Sequence, residues 1–440
     1  MSPVVGTRPK PAKMRANTTP ALPCDWRGRL ASRFGFQLAI RGQPARLLPG
    51  NIGAMSQPAI YYFDNNATTR VAPEVVDAMI PFLREQWGNP SSTYVFGRQV
   101  GEHVDQARAR VAALINAEPR EIIFTSCGTE SNNSAIHSAL VTQPEKRHVL
   151  TTAVEHSANT KFCALLQKRG YAVTYLPVGP DGALDLSQLE AAIRPDTAIV
   201  SVMWANNETG VLFPARDIAA ICRRKGVLFH TDAVQTLGKL KIDVRALDVD
   251  FLSLSAHKLH APKGIGLLYV KRRVKYQPYV VGGGQERGRR GGTENVASIV
   301  AFGRAAELAM ANLPDENTRV RALRDRLEDG ILAGIPGTSR NGAKEPRLPN
   351  TSNIAFDGVE AEGILMLLDQ AGICASSGSA CTTGSLDPSH VLTAMGCSAA
   401  RARSSIRFSL GIYNTDAEVD YVLEHLPGII AKLRANAPGG

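Results

Sequence analysis

The chain has 440 residues, 44% of them hydrophobic and 20% charged, a composition that suits a folded protein with a large core and excludes global disorder. The net charge of +10 is no argument for a nucleic-acid partner: residues 1–54 hold nine Lys and Arg against one acid, Asp25, and the other 386 residues carry only +2. No run approaches the roughly 18 uninterrupted apolar residues of a spanning helix, and the seven cysteines (Cys24, Cys127, Cys163, Cys222, Cys374, Cys381 and Cys397) are never spaced C-x-x-C, which indicates neither a disulfide scaffold nor a zinc site.

Residues 1–54 are Arg- and Pro-rich and acid-poor, a poor secretory signal with the composition of an organellar transit peptide. Met55-Ser-Gln-Pro-Ala-Ile-Tyr opens a credible start of its own, so the extension is expected to be disordered or non-native. The rest is expected to be cytoplasmic, and organellar only if the extension acts as a transit peptide; no membrane and no nucleic acid are expected as partners. From Tyr61 to about residue 310, short apolar runs (Glu121–Thr125, His148–Thr152, Ala198–Trp204, Val227–His230, Phe251–Leu254, Gly266–Val270) alternate with segments of helical period. Examples of the latter are Gly101–Asn116, Thr129–Leu140, Asn159–Arg169 and Ala215–Lys225. This alternation predicts an α/β fold, a mostly parallel sheet covered by helices, with ligands beyond the carboxyl ends of the strands. The Gly-rich stretch Gly282–Gly292 breaks the pattern. Helices are then expected over Thr293–Leu313, Glu316–Ala333, Glu360–Ala371 and Asp416–Arg434, with strands at Ser352–Phe356 and Ser405–Ser409. These make a smaller C-terminal domain from near residue 315.

The residues able to do chemistry fall at the predicted strand ends. Lys258 follows the apolar run Val249–Leu254, where burial would lower the amine pKa and suit a Schiff base; a structural salt bridge is the plainer reading. Asp232 closes the Val227–His230 run and could pair with a protonated pyridine nitrogen, with Gln235 one turn further on; it could equally cap a helix. Thr125-Ser-Cys-Gly-Thr-Glu-Ser131 opens a helix, either as a phosphate cradle or as ordinary capping. His156 and the Trp204–Gly210 turn lie at two more strand ends. Cys381 sits in a loop of small residues, Ala375–His390, that suits an accessible nucleophile or sulfur carrier, or an incidental thiol.

With these segments in order, the chain resembles the NifS/IscS cysteine desulfurases among the class V aminotransferase-like enzymes, and is most similar to the NifS branch. The resemblance runs from about Tyr61 to Arg434. It is carried by Tyr62-Phe-Asp-Asn-Asn-Ala-Thr-Thr-Arg70, Thr125–Ser131, Met203-Trp-Ala-Asn-Asn-Glu-Thr-Gly210, His230-Thr-Asp-Ala-Val-Gln235, His257-Lys-Leu-His-Ala-Pro-Lys-Gly264, Gln285–Asn295 and Ser376-Ser-Gly-Ser-Ala-Cys-Thr-Thr-Gly-Ser385. It implies a type I pyridoxal 5'-phosphate fold with a mostly parallel seven-stranded sheet. The implied parts are a segment at 55–70 packing with the small domain, a large domain at 71–314 and a small domain at 315–440 carrying the reactive cysteine. It further implies that Lys258 carries the cofactor and moves the Cα proton, that Asp232 pairs with the pyridine nitrogen, and that Gln235 meets the phenolic oxygen. His156 would stack on the ring and assist proton transfer. Gly128, Thr129, Ser255 and His257 would hold the phosphate, and Thr293 would reach the cofactor of the second subunit of a homodimer. Asn66, in a segment that lines the site, would bind substrate, and Asn207 and Arg407 would bind the substrate carboxylate; Asn207 also belongs to the cofactor set. Cys381 would take the sulfur as a persulfide and is a candidate iron–sulfur ligand through it. The sulfur from L-cysteine would pass to an iron–sulfur scaffold or other acceptor, with nitrogenase cluster assembly as the expectation. Thr383, where Ser is usual, and the N-terminal extension are the departures from the pattern. A selenocysteine lyase, an aminotransferase on the same fold, and a sulfur-relay scaffold remain as alternatives.

Overall fold

A computed structural model describes residues 59–377 and 388–436. The extension at 1–54 and Cys381 lie outside the described residues. The strands are β1 (Tyr61–Tyr62), β2 (Ile122–Thr125), β3 (His148–Thr152), β4 (Ala172–Leu176), β5 (Thr197–Ser201), β6 (Leu228–Asp232), β7 (Phe251–Ser255), β8 (Gly266–Val270), β9 (Thr338–Arg340), β10 (Thr351–Phe356), β11 (Ile373–Cys374) and β12 (Ser405–Ser409).

Seven strands form the main sheet, in the order β2-β8-β7-β6-β5-β3-β4. β8 pairs antiparallel with β2 and β7 while every other pair is parallel, so a single strand opposes the direction of six. β2, β3, β5, β7 and β8 are buried along their whole length, buried polar residues such as His148 and Ser253 included. The edge strand β4 is half-buried over four of its five residues.

The helices Val95–Leu114 and Val296–Asp315 pack on one another below the sheet. Gly303 allows this: a Cβ there would sit 2.8 Å from Ala107 Cα. The second helix does not stop near Leu313, where the sequence predicts a break. It continues through Pro314 into a π-helical turn at Glu316–Val320 and a further helix, Arg321–Gly334. Proline removes a donor and crowds the preceding turn, and side chains answer nearby carbonyls: Asn317 Nδ2 donates to Leu313 O (3.0 Å) and Thr318 Oγ1 to Pro314 O (2.8 Å). By length and hydropathy Val296–Gly334 could cross a membrane, yet Ala297–Phe302, Ala305 and Ala306 are buried in the protein core.

β10 lies at the centre of a second, antiparallel sheet with β9 and β12, while β1 pairs parallel with β11. A separate core gathers here around Phe63, Leu327, Phe356, Ile364, Phe408 and Leu426. Phe63 belongs to the N-terminal segment and is fully buried in this C-terminal core. The segment after it, Asp64–Arg70, runs on from that core to the carboxyl edge of the main sheet, where Thr69 N donates to His257 O (3.0 Å).

Candidate active site

The carboxyl ends of β2, β3, β5, β6 and β7 converge on one cavity of about 310 Å³. Asp232, the last residue of β6, is buried on its floor. Its carboxylate is fixed from two sides: Asn132 Nδ2 donates to Oδ2 (2.6 Å) and Val234 N donates to Oδ1 (3.0 Å). β7 ends at Ser255 and runs straight into a 3₁₀ turn, Ala256–Lys258, which brings His257 and Lys258 to the same wall. Lys258 Nζ donates to the carbonyls of Asn66 and of Ala67, the latter at 2.7 Å. Gln235 Nε2 donates to the same Asn66 carbonyl (3.0 Å), leaving its Oε1 buried with no partner among the described residues.

The helix Gly128–Val141 starts at this cavity. At Gly128 a Cβ would meet Val234 Cγ2 at 2.9 Å, so the absence of a side chain brings the helix's first amides close to the β6 end. The Gly-rich stretch is tied to this helix start by Arg290, whose guanidinium spans Glu130 (2.9 and 3.1 Å). Its turn is pinned beneath β2 by Glu286, which accepts two bonds from Arg108 (2.7 and 2.8 Å) and one from Phe124 N.

Opposite Lys258, Arg407 of β12 enters the cavity with only 2% of its surface exposed. Asp64 accepts from one of its terminal nitrogens (2.6 Å) and Asn207 O from the other (2.9 Å), while its Nε has no partner among the described residues. The Trp204–Gly210 turn that carries Asn207 is closed by Asn206 Oδ1, which accepts from Glu208 N and Thr209 N.

His156 caps the helix Ser157–Lys168, its Nδ1 accepting from Ala158 N (3.1 Å), which puts the proton of the neutral ring on Nε2. Beside it the fully buried Glu155 accepts from Thr152, Asn159 and Met203 N, yet burial dominates and pushes its carboxyl up to about 7. Burial and the neighbouring Lys258 push His257 down to about 4, so its imidazole is neutral. The described residues on either side of the Cys381 segment are anchored at this edge. Ser376 exchanges backbone bonds with Arg407, Ser389 Oγ donates to the buried Glu208 (2.5 Å), and His390 Nε2 meets Glu155 O (2.9 Å).

A strand-end lysine, a braced strand-end carboxylate and a glycine-opened helix start on one cavity are the marks of a cofactor enzyme, and comparison with known proteins supplies the family. The class V aminotransferase family model matches residues 61–422. Cysteine desulfurase 2 of Trichormus variabilis is 56% identical over 380 residues, 86% of this chain and 95% of that protein. Cysteine desulfurase NifS of Azotobacter vinelandii is 53% identical over 378 residues, 86% of this chain and 94% of that one. A solved NifS-like protein structure superposes with a TM-score of 0.80 at 40% identity, covering 84% of this chain and 99% of that one. The chain belongs to the class V aminotransferase family.

The cofactor of this member of the class V aminotransferase family is pyridoxal 5'-phosphate, and the residues present suit it. Asp232 is ready to hold a pyridinium proton, Lys258 is an amine at bonding reach of the same space, and the Gly128 helix start offers amides to a phosphate. The buried Oε1 of Gln235 is an acceptor that the protein leaves unanswered.

Of the residues expected from the sequence, Asn66, Gly128, Thr129, His156, Asn207, Asp232, Gln235, Ser255, His257, Lys258 and Arg407 all line this cavity. Asn66 does so with its backbone, because its side chain is spent on Asn207 O, Thr351 and Asn350. Thr293 is exposed and is not among the lining residues. Cys381, expected as sulfur acceptor and iron–sulfur ligand, lies outside the described residues; among those residues no cluster of three His, Cys, Asp or Glu could hold a metal. Sequence reasoning missed Asn132, Asp64, Glu130 and Arg290. Asn132 follows the quoted Thr125–Ser131 motif by one position, one helical turn after Gly128, which was the signal available for it.

Proposed function

We propose that this member of the class V aminotransferase family removes sulfur from L-cysteine, leaving L-alanine and a persulfide on Cys381 that supplies an iron–sulfur scaffold, as in nitrogenase cluster assembly. The observation that carries the site assignment is the meeting of Lys258, Asp232, His156 and Arg407, from four separate strand ends and strands, on one cavity.

Arg407 binds the substrate carboxylate. Its guanidinium is already oriented by Asp64 and Asn207 O and needs little reorganisation on binding. Lys258 Nζ, in front of the Asn66 and Ala67 carbonyls, carries the cofactor at rest and moves the Cα proton during turnover. When bound, pyridoxal phosphate supplies the electron sink that makes that proton removable. Asn132 and Val234 N hold Asp232 in place, where it would pair with the ring nitrogen. His156, with Nε2 carrying its proton, would face the ring and supply a proton relay. Gly128, Thr129, Ser255 and His257 take the phosphate, and the neutral imidazole of His257 serves as a hydrogen-bond donor there. Cys381, as thiolate, bonds to the substrate sulfur as the substrate's Cβ–S bond breaks, and the bonding pair stays with the carbon skeleton, which takes up a proton and leaves as alanine. The working unit is a homodimer in which the exposed Thr293 serves the second copy's cofactor, and each copy divides into a large part at 71–314 and a small part at 315–440, with 55–70 joining the small one.

Single-turnover release of alanine and sulfide from L-cysteine with dithiothreitol tests the reading. Wild type should form both in step, and Cys381→Ala should bind the cofactor and lose both. If Cys381→Ala keeps most of its activity, Cys381 is no nucleophile and a lyase reading replaces this one.

A further inference from the structure

Lys258 also forms part of the wall of a second cavity, of about 320 Å³, near the small end of the range for ligand pockets. This cavity lies between the Leu237–Lys239 turn, the helix end around Leu308–Glu316 and the turn Leu410–Tyr413. Of the charged side chains that line it, which include Glu74, Lys258 and Asp315, two are almost wholly buried: Lys239 at 4% exposure and Glu316 at 6%. Among the described residues neither Lys239 Nζ nor Glu316 Oε2 has a hydrogen-bond partner, although the two groups attract each other electrostatically. Leaving either charge buried and unanswered is costly.

Both are firmly placed. Asn317 Nδ2 donates to Lys239 O (2.8 Å) and so ties the lysine's turn to the helix that bears Glu316. Glu316 opens the π-helical turn Glu316–Val320, and such turns recur at functional sites. Leu308, Ala309 and Ile412 add an apolar side.

We propose that this cavity binds a free α-amino acid as its zwitterion, with the ligand carboxylate on Lys239 Nζ and its ammonium on Glu316 Oε2. A simple anion would satisfy Lys239 and leave Glu316 buried and unanswered, and a metal cation would face the lysine's charge. A small zwitterion answers both groups, and a short side chain fits the apolar side. The two groups that would hold the ligand, Lys239 and Glu316, take no part in the sulfur chemistry, and Lys258 contributes only wall.

The test uses L-alanine as the probe on holoenzyme reduced with borohydride, which fixes the cofactor to Lys258 so that an added amino acid cannot engage it. Calorimetric titration should show one equivalent of alanine binding in the millimolar range or tighter. Propionate and ethylamine, each carrying one of the two charges, should bind at least about tenfold more weakly. Lys239→Met and Glu316→Gln should each weaken alanine by about tenfold or more while the cofactor absorbance stays as in wild type. Absence of alanine binding, equal binding of propionate or ethylamine, or binding that both variants retain overturns the proposal. Should either variant fail to fold, the ligand series on the unaltered chain decides by itself.

Discussion

Lys258 stands between two cavities of nearly equal size that treat their charged groups in opposite ways. In the first, protein groups hold every charge in place. Asn132 and Val234 N fix Asp232, and Asp64 and Asn207 O fix Arg407. In the second, Lys239 and Glu316 are just as buried, and among the described residues neither Lys239 Nζ nor Glu316 Oε2 has a hydrogen-bond partner. A site that performs chemistry needs its dipoles set before the substrate arrives, because reorganisation during reaction adds to the barrier. A site that only binds can let its occupant complete the pairing. The difference therefore separates a reaction centre from a recognition site in one chain.

The comparison breaks most visibly at Lys258 itself. Lys258→Ala should lower single-turnover alanine formation by on the order of 10⁴-fold, the upper end of what a positioned proton-transfer group contributes. Alanine binding in the second cavity, where Lys258 is only wall, should change far less. Next comes Arg407→Lys, which keeps the charge and loses the fork that Asp64 and Asn207 O hold. A fall of roughly 10²-fold in kcat/KM, mostly through KM, is expected from steady-state rates. Smaller again is Asn132→Ala, which leaves Asp232 with the Val234 amide alone. The lost bond to a charged group corresponds to about 1.5–3 kcal/mol at most, so kcat should fall roughly tenfold or somewhat more with KM for L-cysteine little moved. An unchanged kcat would show that Asp232 needs no second brace.

Much of the first cavity was legible in the sequence, and almost none of the second. Asp232, Lys258 and His156 each end or follow an apolar strand, so a local pattern places them at the same edge of a parallel sheet. The short, apolar-rich strands β3, β7 and β8 were readable in the same alternation with helices, whereas half-buried β4 does not stand out. Asp64 and Arg407 are 343 residues apart and meet only because β1 and the segment after it pack into the C-terminal core, a long-range event with no local signature. Lys239 and Glu316 fail to show for the same reason: each looks like a solvated charge on a helix or turn. Pro314 misleads as well, since a proline reads as a helix stop and here the helix widens and passes through it.

The smallest expected effect sharpens the comparison from the second cavity's side. Burial raises the Glu316 carboxyl to about 7 from its ordinary 4.5. The folded chain thus holds that proton more tightly than the unfolded one. Its contribution to stability is complete below about pH 4.5 and is lost as pH rises through 7. Glu155, raised by burial to about 7 as well, acts in the same direction and stays in place as background. Lys239 has the opposite sense: burial lowers its ammonium, and its contribution fades as pH falls. Glu316→Gln should therefore flatten, without abolishing, the fall in holoenzyme Tm between pH 5 and pH 8, by on the order of 1 kcal/mol or a few degrees. Identical slopes for variant and wild type would mean that Glu316 is solvated in the working protein. Saturating L-alanine should flatten the wild-type slope in the same direction, because an ammonium on Oε2 lets the carboxylate stay ionised without the cost of isolation. In Glu316→Gln it should do nothing to the slope. A charge that waits for its partner responds to a ligand in this way, and Asp232, already braced on both oxygens, should not.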